Sequence, residues 1–108
     1  MIVDTGAGAT LIHTGVLKHY RLELTARIRK SAGMGISGVQ FTAIASHDLQ
    51  LDGVDLSTIA LHAIDLSHVI DGLTKAKVPP IAGILGADVL YRKHAVIDYG
   101  RQCIVLST

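Results

Sequence analysis

Apolar residues in this chain fall mainly into short runs and alternating stretches separated by glycine and acidic turns, a period that predicts strands more often than helices. Ile2-Val3 is a β-branched start directly ahead of Asp4-Thr5-Gly6-Ala7, and Thr10-Leu11-Ile12 is β-like. Thr14 can then cap a short helix over residues 15–20, where Val16, Leu17 and Tyr20 share one side. Residues 22–28 alternate as a strand does, and the alternation resumes from Val39 through Phe41, Ala43 and Ala45. Leu49 and Leu51 lead into an Asp52-Gly53 turn, and a further strand is expected over residues 59–64.

The second half continues in the same idiom. Residues 65–80 are polar and carry Gly72, Lys75, Lys77 and Pro79-Pro80, which predicts an irregular surface connection. Residues 81–86 form an apolar strand closed by glycine, and residues 87–92 a short helix with Asp88 near its favourable N-terminal end. Residues 95–98 and 102–106, joined at Tyr99-Gly100-Arg101, predict a terminal β-hairpin. No linker or repeat interrupts the series, so residues 1–108 read as one domain.

Composition narrows the partners. At 108 residues the chain can bury roughly two thirds of its unfolded surface. Hydrophobic content is 49%, and only Phe41 and three tyrosines are aromatic, so the core must be aliphatic. Ten basic and nine acidic residues leave a charge of +1, with no basic cluster beyond residues 18–21 and 27–30; nucleic acid is not expected as a partner. No apolar run approaches the ~20 residues of a membrane span. Cys103 has no cysteine to pair with, and its place beside Ile104, Val105 and Leu106 predicts a buried apolar thiol. The six histidines contain no pair at i, i+4 and no HExxH, so no metal or other cofactor is expected.

The stretch with chemical potential is the first. A carboxylate followed by a small hydroxyl residue and a glycine describes an acid held at a strand end by a tight turn. Gly6-Ala7-Gly8-Ala9-Thr10 partly imitates a dinucleotide loop, but a third glycine and an adequate preceding strand are lacking. Asp98 belongs to a hairpin turn, with no hydroxyl residue after it.

Val3-Asp4-Thr5-Gly6-Ala7 near one end and Ile84-Leu85-Gly86 near the other together resemble the retropepsin-like aspartic peptidases. The resemblance extends across most of the chain: residues 33–38 stand where that family carries its flap, and residues 83–90 followed by 96–100 are similar to the C-terminal pattern of bacterial members. It implies an all-β, closed-barrel fold with one or two short helices, and hydrolysis of peptide or protein substrates by water activated between two aspartates. Asp4 would be the catalytic acid and base, Thr5 and Gly6 its support. Ala7, Gly8 and the flap residues Met34, Gly35 and Ile36 would form the peptide-binding edge, and Ile84 a pocket wall. Because the chain holds one Asp-Thr-Gly, the second carboxylate must come from another copy in a two-fold homodimer.

Two departures qualify the likeness. Retroviral members pair an acidic residue two positions after the motif glycine with an arginine after the later glycine; here those positions hold Gly8 and Ala87, which points to the bacterial branch. Family members also carry strands ahead of the motif, whereas only Met1, Ile2 and Val3 precede Asp4, so the domain is expected to lack its N-terminal strands. The alternative reading is a catalytically inactive binding or dimerisation module on the same fold. The sequence does not name a compartment, and the resemblance to bacterial members is compatible with cytoplasm and periplasm alike.

Overall fold

The computed structural model describes residues 1–31 and 39–107. In chain order the elements are β1 (Ile2–Val3), β2 (Leu11–His13), a 3₁₀ turn (Thr14–Val16), β3 (Leu24–Ser31), β4 (Val39–Ile44), β5 (Gln50–Leu51), β6 (Val54–Asp55), β7 (His62–Ile64), α1 (Ser67–Lys75), β8 (Gly83–Leu85), α2 (Ala87–Arg92), β9 (Val96–Asp98) and β10 (Cys103–Val105). The fold is mostly β with two helices.

Six strands form one sheet in the order β1-β8-β2-β7-β4-β3, and two ribbons, β5-β6 and β9-β10, stand outside it. The decisive feature is β8. It lies between β1 and β2, parallel to the first with Ile2 opposite Ile84 and Val3 opposite Leu85, and antiparallel to the second with Leu11 opposite Ile84. The two strands on either side of the Asp-Thr-Gly turn are therefore held apart by a strand from the far end of the chain.

Side-chain alternation explains why Leu11-Ile12 of β2, Ala63-Ile64 of β7 and Ile84-Leu85 of β8 are consecutive apolar residues. Leu11, Ile64 and Ile84 face one cluster with Ala7 and Leu66, against which Phe41 and Ile70 pack. Ile12, Ala63 and Leu85 face the other, with Leu22, Ile44, Leu56, Ile59, Leu61, Val89 and Leu90. Strands buried on both faces lose the polar half of the period-two pattern and appear as short continuous apolar runs. Leu56 and Leu61 are each 1% exposed and fix the floor of the larger cluster.

Several expectations match closely. The Asp52-Gly53 turn joins β5 to β6 with both residues left-handed, at φ 48° and 82°, the geometry a two-residue hairpin requires. The short helix over residues 87–92 and the terminal hairpin also form as read.

Three expectations are corrected. Residues 65–80 are not irregular throughout, because Ser67–Lys75 is a helix. The Asp65 carboxylate accepts hydrogen bonds from the Ser67 amide and hydroxyl at its start, Ile70 reaches the second cluster, and left-handed Lys77 (φ 59°) ends the run ahead of Pro79-Pro80. Thr14 does not cap a helix over residues 15–20. His13 occupies the cap position without a side-chain cap, and beyond Val16 the chain continues as turns closed by Tyr20 N–H to Val16 O and Leu22 N–H to Leu17 O. Cys103 is exposed, not buried: β9-β10 is a separate ribbon with Val96 and Val105 59% and 57% exposed, so its apolar residues are not covered by the sheet. The segment 33–38 read as a flap, with Met34, Gly35 and Ile36, lies outside the described residues.

Candidate functional site

Asp4 sits where β1 ends. Its amide donates to Leu85 O at 2.9 Å, the last rung between β1 and β8, so the carboxylate emerges at the carboxyl end of two parallel strands. The chain then folds back on itself. Ala7 N–H donates to Asp4 O at 3.1 Å, and Gly6 N–H donates to Asp4 Oδ1 at 2.9 Å, which orients the half-buried carboxylate by a hydrogen bond from its own turn. No hydrogen bond among the described residues engages Oδ2.

The neighbours are placed differently from one another. Thr5, Gly6 and Gly8 are exposed around the turn, whereas Ala7 is buried and anchors it in the second cluster. Ile84 lies beneath, 6% exposed between Ile2 and Leu11, where its side chain packs in that cluster. Asp4, Thr5, Gly6, Ala7 and Gly8 thus come together as one turn with Ile84 under it. Met34, Gly35 and Ile36 fall outside the described residues.

Sequence reasoning missed the residues that fasten this turn. Thr10 is fully buried, and its amide and hydroxyl donate to Asp88 Oδ2 and Oδ1 at 3.0 and 2.6 Å. The same hydroxyl oxygen accepts from Gly86 N–H at 2.9 Å. Ala87 N–H donates to Ala7 O at 2.7 Å. Asp88 carries a charge suited to a helix N-terminus, and its Oδ1 does accept from Val89 N–H at 2.8 Å, but most of its bonding is to Thr10. A lone hydroxyl residue opening an apolar run was the one local hint of a buried polar partner.

Gly86 makes the close approach possible. A Cβ on it would stand 2.7 Å from the main-chain carbonyl of Ala9, a distance no side chain tolerates. Beside β1 runs a groove of about 420 Å³, lined by Met1, Val3, Leu51, Val54, Leu85 and Ile104 among others, so the strand carrying Asp4 borders an apolar recess. Among the described residues no three His, Cys, Asp or Glu side chains gather into a metal-binding group. No helix among them is long and apolar enough to cross a membrane.

No family model and no curated protein matches this chain. Among solved structures, the chain is similar to the retroviral protease-like domain of Ddi1 from Leishmania major, with a TM-score of 0.53 over 96% of this chain and 74% of that one, at 17% identity. The likeness is one of fold: a retropepsin-like, mostly-β arrangement.

Proposed function

We propose that this domain is one half of an aspartic-type endopeptidase, in which a homodimer brings two copies of Asp4 together. Water held between the carboxylates would be deprotonated by one while the other, protonated, polarises the scissile carbonyl. Thr5 and Gly6 support the acid. Ala7 and Gly8, with Met34, Gly35 and Ile36 closing over them, form the edge along which an extended peptide pairs by backbone hydrogen bonds. The complete retropepsin-like closed barrel, of the bacterial kind, belongs to the same reading. The observation that carries it is the Asp-Thr-Gly turn clasped by residues 85–88, with β8 threaded between the strands that flank it.

The test is cleavage of a peptide library at acidic and neutral pH by the protein and its Asp4→Asn variant. Asp4→Asn should abolish turnover, because the amide can neither accept nor give up the proton. Equal cleavage by both proteins would remove Asp4 from the mechanism. Hydrophobic residues are expected on both sides of the cut, and a charged preference would count against that specificity.

A second reading, a binding or dimerisation module without chemistry, is favoured by the terminal ribbon. It exposes Val96, Val105 and Tyr99, a surface suited to a second copy whether or not hydrolysis follows. Self-association in sedimentation with no Asp4-dependent cleavage would select this reading.

A further inference from the structure

We propose that Asp88 is a positioning residue for the Asp4 carboxylate, acting through Thr10 and through the backbone of residues 86–87. Its importance for catalysis rests on the peptidase reading above, but the mechanical coupling does not.

The turn from Asp4 to Thr10 is fastened to four consecutive residues, each by a different group. Leu85 O takes the Asp4 amide, Gly86 N–H reaches the Thr10 hydroxyl, Ala87 N–H reaches Ala7 O, and the Asp88 carboxylate takes both donors of Thr10. The first and third contacts are backbone alone and hold wherever the two segments lie alongside. The second and fourth converge on one fully buried hydroxyl and so depend on side-chain chemistry. Without the carboxylate, the buried Thr10 amide has no acceptor and its hydroxyl no target, and an unpaired buried donor is costly. The end of the turn would then move to find water, carrying Ala7 and the Gly6 amide that orients Asp4 Oδ1.

The acceptor must be a carboxylate. Oδ2 receives Thr10 N–H while Oδ1 receives both Thr10 O–H and Val89 N–H, three donors across two oxygens. An asparagine presents one oxygen and one donor group, so one amide orientation leaves the Thr10 amide without its acceptor and the other leaves both donors to Oδ1 without theirs. The pair also accounts for how the turn is held without the acidic-basic bridge that Gly8 and Ala87 cannot form: two positions beyond Gly8 and one beyond Ala87, Thr10 and Asp88 join the same segments by other means.

The test reads the turn directly and needs no substrate. Amide hydrogen exchange is measured on the intact chain for the wild type, Asp88→Ala, Asp88→Asn, Thr10→Val and Thr10→Ser. Attention falls on the amides of Asp4, Ala7 and Ala87, none of which is hydrogen-bonded to Asp88 itself. Positioning predicts that these exchange about tenfold faster in Asp88→Ala and Thr10→Val while β7 and α1 keep wild-type rates, with Asp88→Asn in between and Thr10→Ser near wild type. Unchanged exchange at Asp4, Ala7 and Ala87 in folded Asp88→Ala overturns the proposal. So does uniform acceleration of every amide in Thr10→Val, which would make the pair ordinary core. Should Asp88→Ala fail to fold, the Thr10→Val and Thr10→Ser comparison decides alone. Absence of cleavage by the wild type sinks the peptidase reading and leaves the exchange result standing.

Discussion

Gly86 and Ala9 meet backbone to backbone, so closely that a Cβ on the glycine would lie 2.7 Å from both the carbonyl carbon and the carbonyl oxygen of Ala9, and 2.8 Å from Ala7 O. No rotamer change relieves contact with main-chain atoms. Gly86→Ala should therefore push the β8–α2 junction off the turn and lower stability by about 1–3 kcal/mol. A fall in the urea midpoint with an unchanged slope reads this out. The control is Gly100→Ala, where the nearest atom is an Asp98 side-chain oxygen at 3.4 Å, and its midpoint should stay at the wild-type value.

The opposite sign is expected at Gly72. It lies in α1 with open space where a Cβ would stand, and its φ is not left-handed. Gly72→Ala restricts the unfolded chain without strain in the folded one and should raise stability by about 0.5–1 kcal/mol. A thermal midpoint at or below that of the wild type would show that α1 is not helical at this position in solution.

Acid should weaken two turns together. The Asp55 carboxyl is held below its ordinary 3.8 chiefly by the Ser57 amide and then by its hydroxyl, and Asp65 likewise by the hydroxyl and then the amide of Ser67. Depressed acids stabilise the fold above the ordinary carboxylate range and lose that contribution as pH falls through their lowered values. Both groups are exposed, so the effect is small. The double variant Asp55→Asn, Asp65→Asn keeps an acceptor oxygen in each turn but cannot titrate there. Its thermal midpoint should fall less steeply than the wild type's below about pH 4. Superimposable pH profiles would contradict the assignment.

Cys103 should react with a thiol reagent in the native protein, without denaturant, because its side chain is exposed on β10. Stoichiometric labelling within the native state checks this. Labelling only on unfolding would mean that the face of the ribbon bearing Cys103 is covered in solution.

The correction at Cys103 shows what a sequence pattern can and cannot carry. Alternation and apolar neighbours identified both strands of the ribbon and its turn, since those depend on adjacent residues. Whether anything covers the ribbon depends on the rest of the fold, and nothing in residues 95–106 records it. Helix α1 was missed for a related reason. Leu66, Ile70 and Leu73 do recur at helical spacing, but the stripe is narrow, none of the residues within α1 is buried, and Gly72 with the prolines beyond masked it. The Asp-Thr-Gly turn was legible because its parts are contiguous. Thr10 and Asp88, 78 positions apart, were legible only as a stray hydroxyl and a helix-start acid.

The threading of β8 also governs the order in which this protein can be made. Asp4 leaves the ribosome 81 residues ahead of Leu85, whose carbonyl holds its amide, and among the described residues β1 pairs only with β8, residues 83–85. Closing a loop of that length before any contact compensates is slow. Between the synthesis of Asp4 and that of Leu85 the acid therefore waits without that bond, and its turn can be clasped only once residues 85–88 have been made.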